Sequence, residues 1–168
     1  MAELFLMKWI LVFFISFSQA AYAANLSCGL LRGKQTISAF QLSKIIQSVL
    51  TPDVLTKTWS DFREEIILKG NPEKIDLQLF GHCYAATEAL YHLLGGKKAG
   101  LTPMRIATAL GTHWYLRTKE GKYIDLSAKQ FSVVPDHSKG IGAGFLTREP
   151  SHRAQEIIKR VKEKLKRE

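Results

Sequence analysis

An α+β fold is predicted by the order in which two kinds of hydrophobic pattern occur along this chain of 168 residues. Apolar residues recur at helical spacing between residues 37 and 94, and again after residue 151. Between these segments, "PMRIATAL", "THWYLRT" and "KYIDLSA" are short, rich in β-branched or aromatic residues, and partly alternating. A run of helices, a small antiparallel sheet and a last helix together indicate the α+β class.

Four helices are predicted from apolar stripes and from residues typical of helix ends. The first covers residues 37–50, and the second residues 51–67, with Pro52 at its first helical position. The third covers residues 83–95, where a Gly-Gly pair ends it. The last follows Pro150-Ser151 and is amphipathic. Its apolar stripe is Ala154, Ile157, Ile158, Val161 and Leu165.

The N-terminal segment, residues 1–23, is predicted to be a secretory signal peptide. Lys8 precedes an apolar run over residues 9–17, and the small-residue motif "AYA" ends at Ala23. We therefore expect cleavage after Ala23, a mature protein exported to the periplasm or secreted, and a single domain over residues 24–168. The alternative is an uncleaved membrane anchor, although the apolar run is short for a membrane span.

The formal charge of +9 favours anionic surroundings such as a cell wall or lipid head groups. Nucleic acid is not an expected partner, because no fingerprint of a nucleic-acid-binding module and no aromatic-basic repeat is present. No CxxC or HExxH motif occurs, and no phosphate-binding glycine loop follows a strand, so we expect no metal and no cofactor.

A candidate nucleophile, Cys83, stands where the stretch "FGHCYAATEALYHLLGG" begins its predicted helix. A helix N-terminus or a neighbouring imidazolium lowers the pKa of a thiol and makes the thiolate available. A thiol enzyme also needs a base and a group that orients the base. His113 in "THWYLRT" and Asp125 in "KYIDLSA" are brought near each other if the two strands pair across the "KEGK" turn.

The segments "GHCYAATEALYHL", "THW" and "DLSAKQF" resemble the core of the papain-like and transglutaminase-like cysteine enzymes, and more closely a group of small bacterial and phage proteins. The likeness covers about residues 37 to 160. It implies a papain-like or transglutaminase-like core, with Cys83 as nucleophile, His113 as base and Asp125 as the residue that orients the base. "DLSA" stands where transglutaminase cores commonly have "DPT".

Hydrolysis of an amide also requires donors for the oxyanion of the intermediate. The backbone N–H of Cys83 is one candidate. By the same resemblance Gln78, shortly before Cys83, is the other, although an exposed loop amide is an equal alternative. These residues predict an exported cysteine hydrolase or acyl transferase acting on an amide bond, and export with positive charge suggests cell-wall peptide as its substrate.

The alternative function is a non-enzymatic exported domain held by a Cys28–Cys83 disulfide. The chain has only two cysteines, and an oxidising compartment permits their pairing. The alternative and the enzyme make opposite demands on Cys83, since a nucleophile has to be a free thiol.

Overall fold

The structure is a computed structural model that describes residues 27–32, 35–71 and 74–167, so the predicted signal peptide lies outside the described residues. These described residues form four α-helices and two small antiparallel sheets, which confirms the α+β class. In chain order the elements are β1 Ser27–Arg32, β2 Gln35–Ser38, α1 Ala39–Ser48, α2 Lys57–Leu68, α3 Cys83–Leu93, β3 Thr102–Thr108, β4 Gly111–Arg117, β5 Tyr123–Ile124, β6 Ile141–Gly142 and α4 His152–Arg167.

Helix α1 starts where the sequence supplies a capping box. The Ser38 hydroxyl accepts from the Gln41 N–H, and the Gln41 side chain accepts from the Ser38 N–H. These two bonds satisfy backbone donors that a helix start otherwise leaves unpaired. The start of the predicted first helix is thereby fixed within two residues of the expected position.

The predicted second helix is divided into two elements. Pro52–Val54 forms a single 3₁₀ turn, Leu55 and Thr56 are extended, and α2 begins only at Lys57. Asp53 in the 3₁₀ turn is bound by Arg160 of α4. This ion pair joins the turn to α4, and the extended residues Leu55 and Thr56 separate the turn from α2.

The main sheet has the strand order β5-β4-β3-β6. Strands β3 and β4 form a hairpin in which Thr108 pairs with Gly111, and β5 pairs with β4 across the predicted "KEGK" turn. The glycine-rich segment "HSKGIGAG", for which no strand was predicted, contributes β6, which pairs with β3. The β1–β2 hairpin was likewise absent from the sequence prediction.

The core lies between α1, α3, α4 and the main sheet. Helix α3 is central, because its residues from Ala85 to Leu90 are all buried. Helix α4 contributes the stripe Ala154, Ile157 and Val161, in agreement with its predicted apolar face. Among the described residues no helix combines the length and apolar character needed to cross a membrane.

Candidate active site

The turn before α3 places Cys83 at the first helical residue. Gly81 adopts a φ of +77°, and a Cβ at this position would lie 3.0 Å from the Cβ of Trp59 and the Cδ2 of Leu55. A side chain would therefore be strained and would also clash with α2. Gly81 thus lets the chain reverse beneath α2 and enter the helix at Cys83.

Helix α3 is fixed against β4 by a buried hydrogen bond from the Thr87 hydroxyl to the carbonyl of Trp114. One helical turn earlier, Cys83 lies beside the same strand, with its Sγ 3.8 Å from the carbonyl oxygen of Thr112. The next residue along β4 is His113. The helix–strand contact therefore brings nucleophile and base candidates together although they are far apart in sequence.

His113 is 1% exposed and forms a buried hydrogen bond with Asp125, whose Oδ2 is 2.7 Å from the His113 Nε2. Because an ionised carboxylate can only accept, Nε2 carries a proton. The other ring nitrogen, Nδ1, lies on the side of the thiol. The hydrogen bond to Asp125 therefore fixes the ring with Nδ1 on the side of Cys83.

Asp125 follows β5 directly instead of lying within it, and its side chain is 5% exposed. Its Oδ1 accepts from the backbone N–H of Ser127 at 3.0 Å. Its Oδ2 accepts from His113 and also from the Nε2 of His137, at 2.8 Å. A buried carboxylate is stable only when it is paired in this way.

Gln78 does not reach this site. Its side chain is exposed, and its amide donates to the Gln47 carbonyl at 3.0 Å. The amide beside the histidine belongs to Gln130, which is 4% exposed. The Oε1 of Gln130 accepts from the Gly81 N–H at 3.3 Å, which turns its NH₂ group toward the Nδ1 of His113 at 3.1 Å.

Burial opposes the positive charge on His113, but its hydrogen bonds to Asp125 and Cys83 outweigh burial and raise the pKa of the imidazole to about 9. Burial also opposes ionisation of Asp125, yet the bonds from His113 and His137 hold the pKa of its carboxyl below the usual value. Both pKa shifts favour a charged pair at neutral pH, with His113 as imidazolium and Asp125 as carboxylate. When the ring is neutral, its Nδ1 accepts from Gln130 instead.

Next to the thiol is a small, partly open pocket of about 10 Å³. This volume has room for about one water molecule. The walls combine the polar groups of Cys83, His113 and Gln130 with aromatic and aliphatic side chains, including Trp59 from α2 and Leu110 from the β3–β4 turn. The pocket therefore leaves little room beside the nucleophile, and Cys83 itself is 8% exposed.

Cys83 is a free thiol, so the structure does not contain the Cys28–Cys83 disulfide that the alternative function requires. Metal-ligating atoms do converge at His113, Asp125 and His137, within 4.8 Å of one another. In the structure these three side chains are joined by the two hydrogen bonds to Oδ2, which give each of the three atoms a partner.

A larger groove of about 540 Å³ lies apart from the thiol, between the end of α3 and α4. It is lined by Lys159, Lys162 and Lys166 together with His92 and Glu163, around an apolar floor. The groove contains neither of the two cysteines. In this groove the basic face of α4 borders a concave part of the described surface.

Two residues of the site, Gln130 and His137, were missing from the sequence-based prediction. Gln130 lies within the quoted "DLSAKQF" segment, so the resemblance contained it without assigning it a role. His137 lies in a polar loop whose position relative to Asp125 depends on the course of the chain after β5. Comparison of the chain with known protein families, with curated proteins and with solved structures found no match.

We predict that His113 makes the free energy of unfolding depend on pH. Its pKa is about 9 in the fold against 6.5 for a free histidine, so its contribution is complete below about pH 6.5 and is lost as the pH rises through about 9. His113→Asn should therefore lose up to about 3 kcal/mol more at about pH 6 than at about pH 10, at ~1.4 kcal/mol per pKa unit.

Urea denaturation at a series of pH values measures this difference. His152→Asn, which removes an exposed imidazole at the start of α4, serves as the matched control. A gap between wild type and His113→Asn that stays constant across the pH range would contradict the assignment of a charged His113.

Proposed function

We propose that the protein is an exported cysteine hydrolase or acyl transferase that acts on an amide bond. The observation that carries this proposal is the convergence of a free thiol at a helix N-terminus with a buried imidazole that a carboxylate orients. Cys83 and His113 supply the first two groups, and Asp125 supplies the third. Nucleophile, base and orienting group are the parts that covalent thiol catalysis requires.

The reaction begins with attack of the Cys83 sulfur on the carbonyl carbon of the amide. The thiol proton is held by the Nδ1 of His113, and the carbonyl oxygen becomes an oxyanion. When the C–N bond breaks, His113 gives this proton to the departing amine, which leaves an acyl thioester on Cys83. Attack by water completes hydrolysis, whereas attack by a second amine completes acyl transfer. In either case His113 takes up the proton of the attacking group and returns it to the sulfur.

The oxyanion is assigned two donors. The backbone N–H of Cys83 belongs to the first turn of α3, where no acceptor is available within the helix. The NH₂ group of Gln130 is held in the site because Gly81 binds the carbonyl end of the same amide. When the imidazole is protonated, Nδ1 no longer accepts, and the Gln130 NH₂ is released for the oxyanion.

Access to the thiol requires the walls of the cavity to separate, since about 10 Å³ cannot hold a peptide group. Helix α2 is the wall with the fewest anchors, because none of its residues is buried. Its Trp59 lies directly over Gly81, and Phe62 packs with it against Phe80. We assign α2 the role of the element that moves when substrate enters.

The arrangement supports a papain-like or transglutaminase-like core, in which a helix carrying the cysteine packs on an antiparallel sheet carrying the histidine. Contacts between α3 and β4 supply that relation here. Cell-wall peptide is the proposed substrate class. The signal-like segment over residues 1–23 and the charge of +9 support it, since both favour action at an anionic exterior surface.

The three substitutions of the triad are predicted to differ in size. Cys83→Ala should lower kcat by about 10⁵- to 10⁶-fold, and His113→Ala nearly as much, because nucleophile and base act as a unit. Asp125→Asn should lose about one to two orders of magnitude less, because it orients the ring without reacting. Turnover of peptide and cell-wall amides is the measurement, with thermal melting alongside.

Cys28→Ala is the matched control, because it removes the only other thiol of the chain, and it should keep full turnover. Residual activity of Cys83→Ala equal to wild type would overturn the proposal. Loss of several kcal/mol of stability in Cys83→Ala would instead assign the residue a structural role.

The two glutamines are distinguished by a paired substitution. Gln130→Ala should lower kcat by about 10²- to 10³-fold with little change in KM, the usual cost of one oxyanion donor. Gln78→Ala should leave both constants near wild type, because its amide is bound to the Gln47 carbonyl. The reverse pattern in steady-state kinetics would restore Gln78 to the site and remove Gln130 from it.

A further inference from the structure

His137 is a partly buried histidine that the proposed chemistry leaves without a role. Its side chain is 17% exposed, and its Nε2 lies 2.8 Å from Asp125 Oδ2. The same oxygen is bound by His113 Nε2 at 2.7 Å. Two imidazoles on one carboxylate oxygen require both to donate, since the ionised oxygen has no proton to give.

We infer that His137 is a positioning residue that holds the Asp125 carboxylate in place for its hydrogen bond with His113. His137 is then a fourth member of the site beside the three residues of the proposed triad. This inference rests on the proposed function, because it assigns a role toward the same thiol site. His137 does not border the cavity beside Cys83, and it acts through Asp125 alone.

Hydrogen-bond donors occupy both oxygens of the Asp125 carboxylate. An ionised carboxylate offers about four acceptor sites. In Asp125 the Oδ1 accepts from the N–H of Ser127 at 3.0 Å, with the Ser127 hydroxyl at 3.5 Å, and the Oδ2 accepts from the two histidines. Rotation of the carboxylate away from His113 would break the bond to His137 at the same time.

His137 is itself held in place by the strand that carries His113. Its carbonyl oxygen accepts from the Tyr115 hydroxyl at 2.7 Å, and its ring lies edge-on to the Tyr115 ring at 4.6 Å. Tyr115 is two residues after His113 on β4, so both side chains lie on the same face of the sheet. The loop next to His137 fits closely over Tyr115, because a Cβ at Gly140 would overlap the tyrosine hydroxyl.

The groups that face His137 are the Asp125 carboxylate and the rings of Tyr115 and Tyr123. Asp136 and Lys139 lie on its own loop, where they pair with each other. Of these groups, only Asp125 bonds to the imidazole nitrogens in the structure. His137 also lowers the pKa of Asp125. Without its hydrogen bond, the Asp125 Oδ2 is no longer held against rotation away from His113, and the support that Asp125 gives to the charge on His113 weakens.

The test is the pH dependence of Cys83 alkylation by iodoacetamide, which needs no knowledge of the substrate. All proteins carry Cys28→Ala, so that Cys83 is the only thiol. His137→Phe keeps a ring between the tyrosines but removes the donor, whereas His137→Gln keeps an N–H near the position of Nε2. We expect His137→Phe to move the rising part of the profile to higher pH, with about a tenfold lower rate for each pH unit of displacement. His137→Gln should restore most of the wild-type profile.

Identical profiles for wild type, His137→Phe and His137→Gln would overturn the inference. An equal shift in both variants would also overturn it, since the ring and not the hydrogen bond would then matter. If His137→Phe does not fold, His137→Asn takes its place, because its shorter side chain ends before Oδ2. The proposed function fails separately: its site is contradicted when His113→Ala alkylates with the same profile as wild type.

Discussion

The hydrogen bond between His113 and Asp125 is the interaction on which the arrangement of the site depends. Both side chains are almost fully buried, and an unpaired charge at either position would be costly. The bond forms only if β5 pairs with β4 and the chain turns at Ser127, which brings Asp125 to the side of β4 that carries His113. It also requires α3 to pack on β4, because that contact gives the other side of the imidazole its thiol neighbour.

Burial gives this bond its chemical consequence. In water a histidine and an aspartate attract each other weakly, whereas in a buried site the same pair stabilises an imidazolium at neutral pH. The narrow pocket and the aromatic cover formed by Trp59, Phe62 and Phe80 maintain that environment. The cover has a second effect, because it leaves little room for a substrate beside the thiol. The movement proposed for α2 would widen this approach during turnover.

The sequence predicted those parts of the structure that local signals determine. The Gly95-Gly96 pair marked the end of α3, and the "KEGK" turn marked the β4–β5 pairing. The division of the second helix was missed, because the pattern over residues 51–67 does not reveal that Leu55 and Thr56 are extended. Strand β6 was missed because two residues of a glycine-rich segment carry no alternation that could reveal a strand.

The candidate site shows the same division between local and long-range information. The N-terminal position of Cys83 follows from its own helix, and its approach to His113 was expected from the resemblance. Gln78 was assigned through the resemblance, as a glutamine shortly before the cysteine, but in the structure its side chain binds the Gln47 carbonyl of α1. Gln130 and His137 enter the site from segments after β5, whose return to the active centre no local pattern indicates.

The central claim is that Cys83 and His113 form one coupled unit, and ¹⁵N nuclear magnetic resonance of the histidine rings tests it most directly. In wild type, His113 should keep protons on both ring nitrogens up to about pH 9, because Asp125 and Cys83 both favour its charge. In Cys83→Ala, with Asp125 in place, the same ring should lose a proton at distinctly lower pH. Identical titration of His113 in the two proteins would contradict the account and leave Cys83 a buried thiol beside an unrelated histidine–aspartate pair.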